Sequence, residues 1–395
     1  MGDPSPLLSI VIPTKNRYYY LKILIEALLS ENSQEFELII QDNSDDNSEF
    51  LEFAQQYDSD SRFRYQYTSG WLSVIDNCDL GVGAASGDYV CMLGDDDGIL
   101  LQQSLEVVKF LKKEGIDVAN VNKISYGWPD TSHAVWGDAY SGVINHKPFS
   151  FKVKRYNTER ELGRIVNKGA SFGLGNLARL YHGFVSLEKL KDLYSETGSY
   201  FPGPSPDMAN AIGLTKYIED FVYIDVPTII SGHCKKSTGG QGGMKQHHGK
   251  IENIEHLPKD TAKKWSKDIP YFWSGPTIYS ESARRALEAT GRIDIKLNYP
   301  ALYACCLIYE RHYSKEVFKI IFSSKPLTKK IAVGIQVGLY VIKIFFRRLY
   351  YFLKNLYEHK LQKANQSTKA KDINEVIQFF EKTYPLVEAN NIKFK

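Results

Sequence analysis

Residues 7–12, Leu-Leu-Ser-Ile-Val-Ile, form an almost unbroken apolar run that stops at Pro13. A strand covered by helices on both faces has this pattern, whereas a half-exposed strand alternates. The period then changes: Leu21, Leu24, Ile25, Leu28 and Leu29 recur at helical spacing. The same switch repeats downstream. Residues 36–42 and 63–67 read as strands, 50–57 as a short helix and 71–85 as a longer one. Residues 88–94 read as a strand running into Asp95, Asp96 and Asp97, and 99–112 as an amphipathic helix. Strands alternating with helices at this spacing predict an α/β fold, a mostly parallel sheet flanked by helices.

Beyond residue 116 the pattern loosens. Asp-Val-Ala-Asn-Val-Asn-Lys-Ile-Ser-Tyr (117–126) reads as a further strand, 125–160 has no clean period, and 161–180 is expected to hold a helix. Three prolines stiffen Phe-Pro-Gly-Pro-Ser-Pro-Asp (201–207), after which a helix opens at Asp207. Residues 221–230 read as a strand with Pro227 at an edge or bend. A glycine-rich loop carrying Lys235 and Lys236 follows. Residues 275–318 and 327–360 read as helical, and a short helix is expected near 372–382. The organisation that results is 1–115, 116–270, a helical connection 271–325, an amphipathic helix 326–363 and a tail 364–395.

Composition narrows the class. A chain of 395 residues is long enough for two or three domains. With 43% hydrophobic and 24% charged residues and a mean hydropathy of −0.32, it is neither disordered nor a polytopic membrane protein. Five cysteines without a Cys-x-x-Cys spacing point away from a disulfide scaffold or structural zinc and toward a reducing compartment. The N-terminus has no basic stretch before its apolar run, so no signal peptide is expected. The net charge of +3 argues against dedicated nucleic-acid binding, yet it hides an asymmetry. Residues 311–363 hold 12 Lys/Arg and 2 Asp/Glu, a local +10 that leaves −7 for the remainder.

The acidic residues gather at strand ends. Asp42, Asp45 and Asp46 follow one strand and Asp95, Asp96 and Asp97 another. Ligands of open parallel sheets bind at the carboxyl ends of strands, so both clusters face one crevice. Six carboxylates gathered there repel unless some are paired or a cation is present. Mg²⁺ or Mn²⁺ typically bridges carboxylate to substrate phosphate and neutralises charge as a phosphate bond breaks. Strand-end aspartates also cap helices, and Asp96 is a candidate for that role.

Three segments in order, LLSIVIPTKNR, FELIIQDNSDDNS and GAASGDYVCMLGDDD, resemble the N-terminal half of family 2 glycosyltransferases with the GT-A fold. The resemblance covers residues 7–97, with 98–243 fitting more loosely. It implies transfer of a sugar from a nucleotide-diphosphate donor, a UDP-sugar favoured, to an acceptor hydroxyl with inversion. Pro13, Thr14 and Arg17 match the nucleotide-side motif, Asp42 the aspartate near the base, and Asn77 an asparagine before the acidic strand. Asp95, Asp96 and Asp97 match the DxD region, with Asp97 and Asp95 as ligands of Mn²⁺ or Mg²⁺. Gln41 stands where many members have a further aspartate. Asp207 occupies the place of the family's general base, at the start of a helix. Lys235 and Lys236 would close over the diphosphate. The Gln-x-x-Arg-Trp motif of processive members is absent, which favours single sugar addition.

The basic segment is too short in uncharged residues to span a bilayer: only 331–342 run without charge, against a need of about 20 residues. Gln336, Lys343, Arg347, Lys354 and Glu358 fall on one helical face, and Ile335, Leu339, Ile342, Phe346, Leu349, Phe352, Leu353 and Leu356 on the other. This pattern suits a helix lying in the interface of an anionic membrane. A helix packed on the body or on a second copy is the competing reading, and a homo-oligomer is compatible with it. The expected setting is peripheral, on the cytoplasmic face of a membrane, with a lipid-linked or glycan acceptor and no nucleic acid. A nucleotidyltransferase acting on a sugar phosphate and a non-catalytic glycan-assembly protein are the competing readings.

Overall fold

The computed structural model describes residues 5–134, 137–237, 240, 244, 248–322, 326–362 and 368–394, without the side chains of 355–362. Its first strands are β1 (Leu8–Thr14), β2 (Phe36–Asp42), β3 (Phe63–Tyr67) and β4 (Tyr89–Met92). They pair in parallel in the order β4-β1-β2-β3, with Ile10 opposite both Leu38 and Cys91. Every residue of β2 and β4 is buried, as the unbroken apolar runs predict. The crossovers are α1 (Tyr18–Leu29), α2 (Ser48–Ala54) and α3 (Val74–Gly83), and α4 (Leu101–Glu114) follows β4 after the two-residue strand β5 (Gly98–Ile99). In α1, Leu21, Leu24, Ile25 and Leu28 are buried and hold the helix to one face of the sheet. Each such side chain contributes roughly 1.5–3 kcal/mol when fully buried.

The second half extends the same sheet with mixed polarity. Its strands are β6 (Val118–Gly127), β7 (Ile144–Asn145), β8 (Lys152–Asn157), β9 (Gly183–Ser186) and β10 (Asp220–His233). β9 joins the halves, antiparallel to both β4 and β6, and β10 lies parallel to β6 and antiparallel to β8. The α/β architecture with helices around a central sheet holds, with the parallel pairing concentrated in the first half. Pro227 sits where β10 changes register, between Ile224 and Ile229, and so interrupts a strand that is interior to the sheet. Helices α5 (Thr158–Val166), α6 (Leu187–Thr197) and α7 (Pro206–Leu214) cover this half. The helix expected over 161–180 ends at Val166, because Gly169, Gly173 and Gly175 take left-handed backbone.

Helices Gly275–Ala289, Tyr299–Tyr309 and Ser314–Phe322 lead into a single helix, Leu327–Gln362, about 54 Å long at 1.5 Å per residue. Val337 and Ile344 are buried against the helix Tyr299–Tyr309 and its neighbours, with Val333, Tyr340 and Val341 partly buried beside them. After it, residues 368–394 return to the sheet. Ile373, Val376, Ile377 and Phe380 bury against the α1 side of the core, and Lys393–Phe394 pair with β8.

Candidate functional site

The crevice opens where β1, β2 and β4 end. Thr14, the last residue of β1, is buried and its hydroxyl donates to Asp95 Oδ2 at 2.7 Å. Asn16 takes the left-handed backbone (φ 59°) that Asn tolerates; its backbone N–H donates to Ser44 Oγ, and its side-chain amide exchanges hydrogen bonds with Asp45. That staples the turn after β1 to the turn after β2 and aims Arg17 inward. Arg17 Nε donates to Asp95 Oδ2 at 3.0 Å, a second guanidinium nitrogen lies 2.9 Å from Asp95 Oδ1, and a third lies 3.7 Å from Asp96. Burial works against the Arg17 charge, but Asp95 and Asp96 outweigh it and hold the guanidinium protonated. Burial in turn pushes the Asp95 carboxyl above the ordinary range, with Arg17 pulling against it.

Asp42 is fully buried, and its oxygens accept from Tyr18, Tyr65 and the Ser44 N–H at 2.7–2.8 Å. Pro13 pairs opposite Gln41 at the sheet end. Asn77, on α3, donates to the Thr14 carbonyl at 3.3 Å, and its buried Oδ1 has no partner among the described residues. Asp96 Oδ2 accepts from Cys234 N–H at 3.0 Å, and its carbonyl accepts from the Trp128 indole at 2.8 Å. Lys235 and Lys236 follow Cys234 and are exposed, so the loop places both lysines within two residues of the Asp96 contact. Beyond Ser237 that loop passes largely outside the described residues.

Asp97 is the most heavily bonded residue of the cluster. Its Oδ1 accepts from Gly232 N–H at 2.8 Å. Its Oδ2 accepts from Gly94 N–H at 2.6 Å, Tyr181 at 2.8 Å and His182 Nε2 at 2.6 Å. Burial alone would raise its proton affinity, yet His182 and these donors hold the carboxyl below the usual range. Gly232 admits no side chain: a Cβ there would stand 1.6 Å from the Asp96 carbonyl oxygen.

These contacts test the expected cation. Asp97 has four donors on two oxygens, and Asp95 is clasped by Arg17 and Thr14. Among the described residues no group of three or more His, Cys, Asp or Glu is placed to hold a metal ion. Asp97 is therefore committed on both oxygens. Asp95 keeps a buried Oδ1 that makes no hydrogen bond among the described residues and only faces the Arg17 guanidinium at 2.9 Å. The side chains alone do not complete a cation site, but they leave one carboxylate oxygen open to a cation brought by a ligand.

Asp207 lies within the electrostatic field of His182 and Asp97. Pro206 and Asp207 open α7, with Ser205 at its N-cap. Asn210 of α7 accepts from Leu180 N–H and donates to the Tyr200 carbonyl, which docks the helix on the segment carrying Arg179, Tyr181 and His182. Burial raises the Asp207 proton affinity, opposed by His182, Arg179 and Lys123. The side chain remains partly open to solvent. Arg179, Tyr181, His182 and Lys123 carry no signal in the sequence. Each is a single residue with no motif around it, brought in by β6 and the turn before β9.

The family model for glycosyl transferase family 2 matches residues 9–169. Glycosyltransferase GlyG of Streptococcus pneumoniae is 29% identical over 129 residues, 32% of this chain and 42% of that protein. The GalNAc(5)-diNAcBac-PP-undecaprenol beta-1,3-glucosyltransferase of Campylobacter jejuni is 31% identical over 98 residues, 24% of this chain and 31% of that protein. The matched stretch thus spans less than half the length of either relative. Among solved structures, S. aureus TarS 1–349 in complex with UDP-GlcNAc is similar at a TM-score of 0.46 and 14% identity, over 84% of this chain and 80% of that one. A second structure of S. aureus TarS 1–349 gives 0.44 and 14%, over 85% and 80%. The likeness to glycosyl transferase family 2 thus lies in residues 9–169, the stretch that holds Thr14, Arg17, Asp42, Asn77 and Asp95 to Asp97.

Proposed function

We propose that the enzyme transfers a single sugar from a nucleotide-diphosphate sugar, a UDP-sugar favoured, to an acceptor hydroxyl with inversion at the anomeric carbon. The observation that carries this is Asp207: a half-buried carboxylate of raised proton affinity at the start of a helix, within the field of His182 and Asp97. An alcohol is too weak an acid to attack unaided, so a positioned carboxylate must take its proton as the bond forms. The acceptor oxygen bonds to the anomeric carbon, the bond from that carbon to the phosphate oxygen breaks, and the nucleotide diphosphate leaves with the electron pair. Asp207 keeps the proton. Thr14, Arg17, Asp42 and Asn77 build the nucleotide side, and Lys235 and Lys236 meet the negative charge that grows on the leaving diphosphate. The reading keeps the expected metal dependence: were Mn²⁺ or Mg²⁺ to enter with the donor, Asp95, whose buried Oδ1 has no hydrogen-bond partner among the described residues, would be the side chain to meet it, and the cation would supply neutralisation of charge on the leaving diphosphate.

The acceptor in this reading is lipid-linked or part of a surface glycan, and the enzyme works at the cytoplasmic face of a membrane. The Campylobacter relative's name, a transferase onto a PP-undecaprenol glycan, supports that acceptor class. The long helix supports the setting. Its outward stripe, Ile335, Leu339, Ile342, Phe346, Leu349, Phe352 and Leu353, is exposed, with Leu339 and Phe346 each 62% accessible. The side chains of Leu356 and Glu358 lie outside the described residues. No described helix is long and apolar enough to cross a membrane.

The test is sugar transfer by Asp207→Asn. The variant is expected to bind UDP like the wild type and to lose transfer about 10³-fold, within the range of a lost general base. Transfer at the wild-type rate would overturn the assignment.

A further inference from the structure

Beyond the Asp95–Asp97 turn the same edge of the sheet holds a second hollow. β6 and β10 run parallel and end together, with Tyr126 and Gly127 opposite Gly232 and His233. β7 lies along β6, where Asn145 pairs with Ser125. The chain after β6 turns back over these ends: Trp128 N–H and the Thr131 hydroxyl both donate to the His233 carbonyl. Between that turn and the strands remains a cavity of about 170 Å³, whose lining includes Ser125, Ser132, Tyr140, Asn145 and His233. One wall is shared with the crevice. The Trp128 indole donates to the Asp96 carbonyl at 2.8 Å, and Cys234 N–H, one residue past His233, donates to Asp96 Oδ2 at 3.0 Å.

Size and lining narrow the occupant. A cavity of about 150 Å³ holds one benzene ring, so this one takes a single six-membered ring. It falls short of the roughly 300–1,000 Å³ that larger ligands such as nucleotides fill. Among the described residues that line it there is no Asp, Glu, Lys or Arg. A phosphate or an ammonium would lose its hydration there without a countercharge. Uncommitted polar groups are plentiful instead: the side chains of Ser125, Ser132, Asn145 and His233 make no hydrogen bond among the described residues. Hydroxyl and amide groups both donate and accept, which is what a ligand rimmed by hydroxyls requires. The Tyr140 ring and Val143 supply an apolar side for the C–H face of such a ring. We propose that this cavity is a subsite for one neutral sugar residue of the acceptor glycan, a neighbour of the residue that receives the transferred sugar. The sugar site rests on the cavity; its assignment to the acceptor rests on the transferase reading above. The donor's own sugar is tied to the diphosphate in the crevice, and Trp128, bonded to His233 on one side and to Asp96 on the other, separates the two. An acceptor of two or more sugars can reach over that wall, so the enzyme extends a glycan already begun.

The experiment is ligand-observed NMR titration of the full-length protein and of a variant carrying Ser132→Ala and Asn145→Ala together. The probes are the methyl glycosides of glucose, galactose and N-acetylglucosamine, with glucose 6-phosphate, UDP and UDP-glucose beside them. Neither substituted side chain is buried or holds another group, so the variant is expected to keep the wild-type melting temperature. At least one methyl glycoside is expected to bind the wild type and to weaken about tenfold in the variant, the loss of two hydrogen bonds at their usual net contribution. UDP and UDP-glucose are expected to bind both proteins alike. If none of the three glycosides binds the wild type, or if they bind the variant as well, the sugar site is overturned. Tighter binding of glucose 6-phosphate than of the methyl glucoside would overturn its neutral character. UDP-glucose weakened in the variant while UDP is unmoved would give the cavity to the donor's sugar and overturn the acceptor assignment. A wild type that binds a glycoside but neither UDP nor UDP-glucose would count against the transferase reading and leave the sugar site standing.

Discussion

The two sides of the crevice use the same residue type in opposite ways. At the strand ends Asp42 and Asp97 have every oxygen occupied, and Asp95 is clasped by Arg17 and Thr14. On the far side Asp207 is half-buried and lies in the field of cations that do not pair with it among the described residues. A carboxylate such as Asp97, with its lone pairs filled by N–H and O–H donors, is held below its usual range and holds backbone in place, whereas burial raises Asp95 despite Arg17. One left open, with burial raising its proton affinity, is free to exchange a proton. An aspartate at a strand end is therefore not informative by its position. What separates scaffold from chemistry is how many donors it already has.

The sharpest way to break the scaffold side leaves every carboxylate intact. Gly232→Ala drives a methyl group to 1.6 Å from the Asp96 carbonyl oxygen, so β10 must part from the Asp95–Asp97 turn. The loss of the Gly232 N–H to Asp97 bond follows. Urea unfolding is expected to show a loss of about 4 kcal/mol, in the upper tail of single substitutions. Asp97→Asn comes next. The amide keeps the shape but turns its NH₂ toward one set of donors, against Gly232 N–H or against Gly94, Tyr181 and His182. A loss of about 3 kcal/mol is expected from a buried charge-assisted network. Were Asp97 a cation ligand instead, the variant would keep its melting temperature and lose only the rise that Mn²⁺ confers, so one thermal series with and without Mn²⁺ separates the roles.

The open side is sharpened by pH. With Asp207 as the proposed base, and its folded carboxyl titrating above its ordinary value, transfer is expected to fail at a pH higher than an ordinary aspartate would require. The same shift has a signed consequence for stability. Through the window between its unfolded and folded titration, the folded state keeps a proton that the unfolded state has lost. Stability therefore falls as pH rises through that window. Asp207→Asn removes this loss, so the variant is expected to be more stable than the wild type at neutral pH and to lose that advantage once the pH drops below the ordinary aspartate range. An advantage that does not change with pH would contradict the account.

How far these features could be read from the sequence follows from burial. β1, β2 and β4 are covered on both faces and announce themselves as apolar runs. β8, Lys-Val-Lys-Arg-Tyr-Asn, buries only Val153 and carries no such signal, and β9 is four residues long. The Asp-rich strand ends were legible as a cluster, but their partners were not, since Gly232, His182 and Tyr181 come from strands and turns more than 80 residues away. The long helix was legible as two faces. Its third face, Val333, Val337 and Ile344, looks in sequence like more of the apolar stripe, and only the fold shows that it is the one packed on the body.

That division of the helix sets the last and smallest effect. One apolar face is consumed by packing; the opposite one carries Ile335, Leu339 and Phe346 in the open. Arg347 stacks on Phe172 at 4.3 Å, so the basic flank borders the body and does not oppose it. A deletion from residue 326 onward would be a poor test, because it also removes Ile373, Val376 and Phe380 from the core. Substituting Ile335→Glu and Phe346→Glu touches only the outward stripe. The pair is expected to leave the melting temperature within about a degree or two, as exposed substitutions do. Flotation on vesicles containing phosphatidylglycerol is expected to drop severalfold. Unchanged flotation would take the membrane away from this helix, and a shift from dimer to monomer in the same variant would give the stripe to a second copy of the chain.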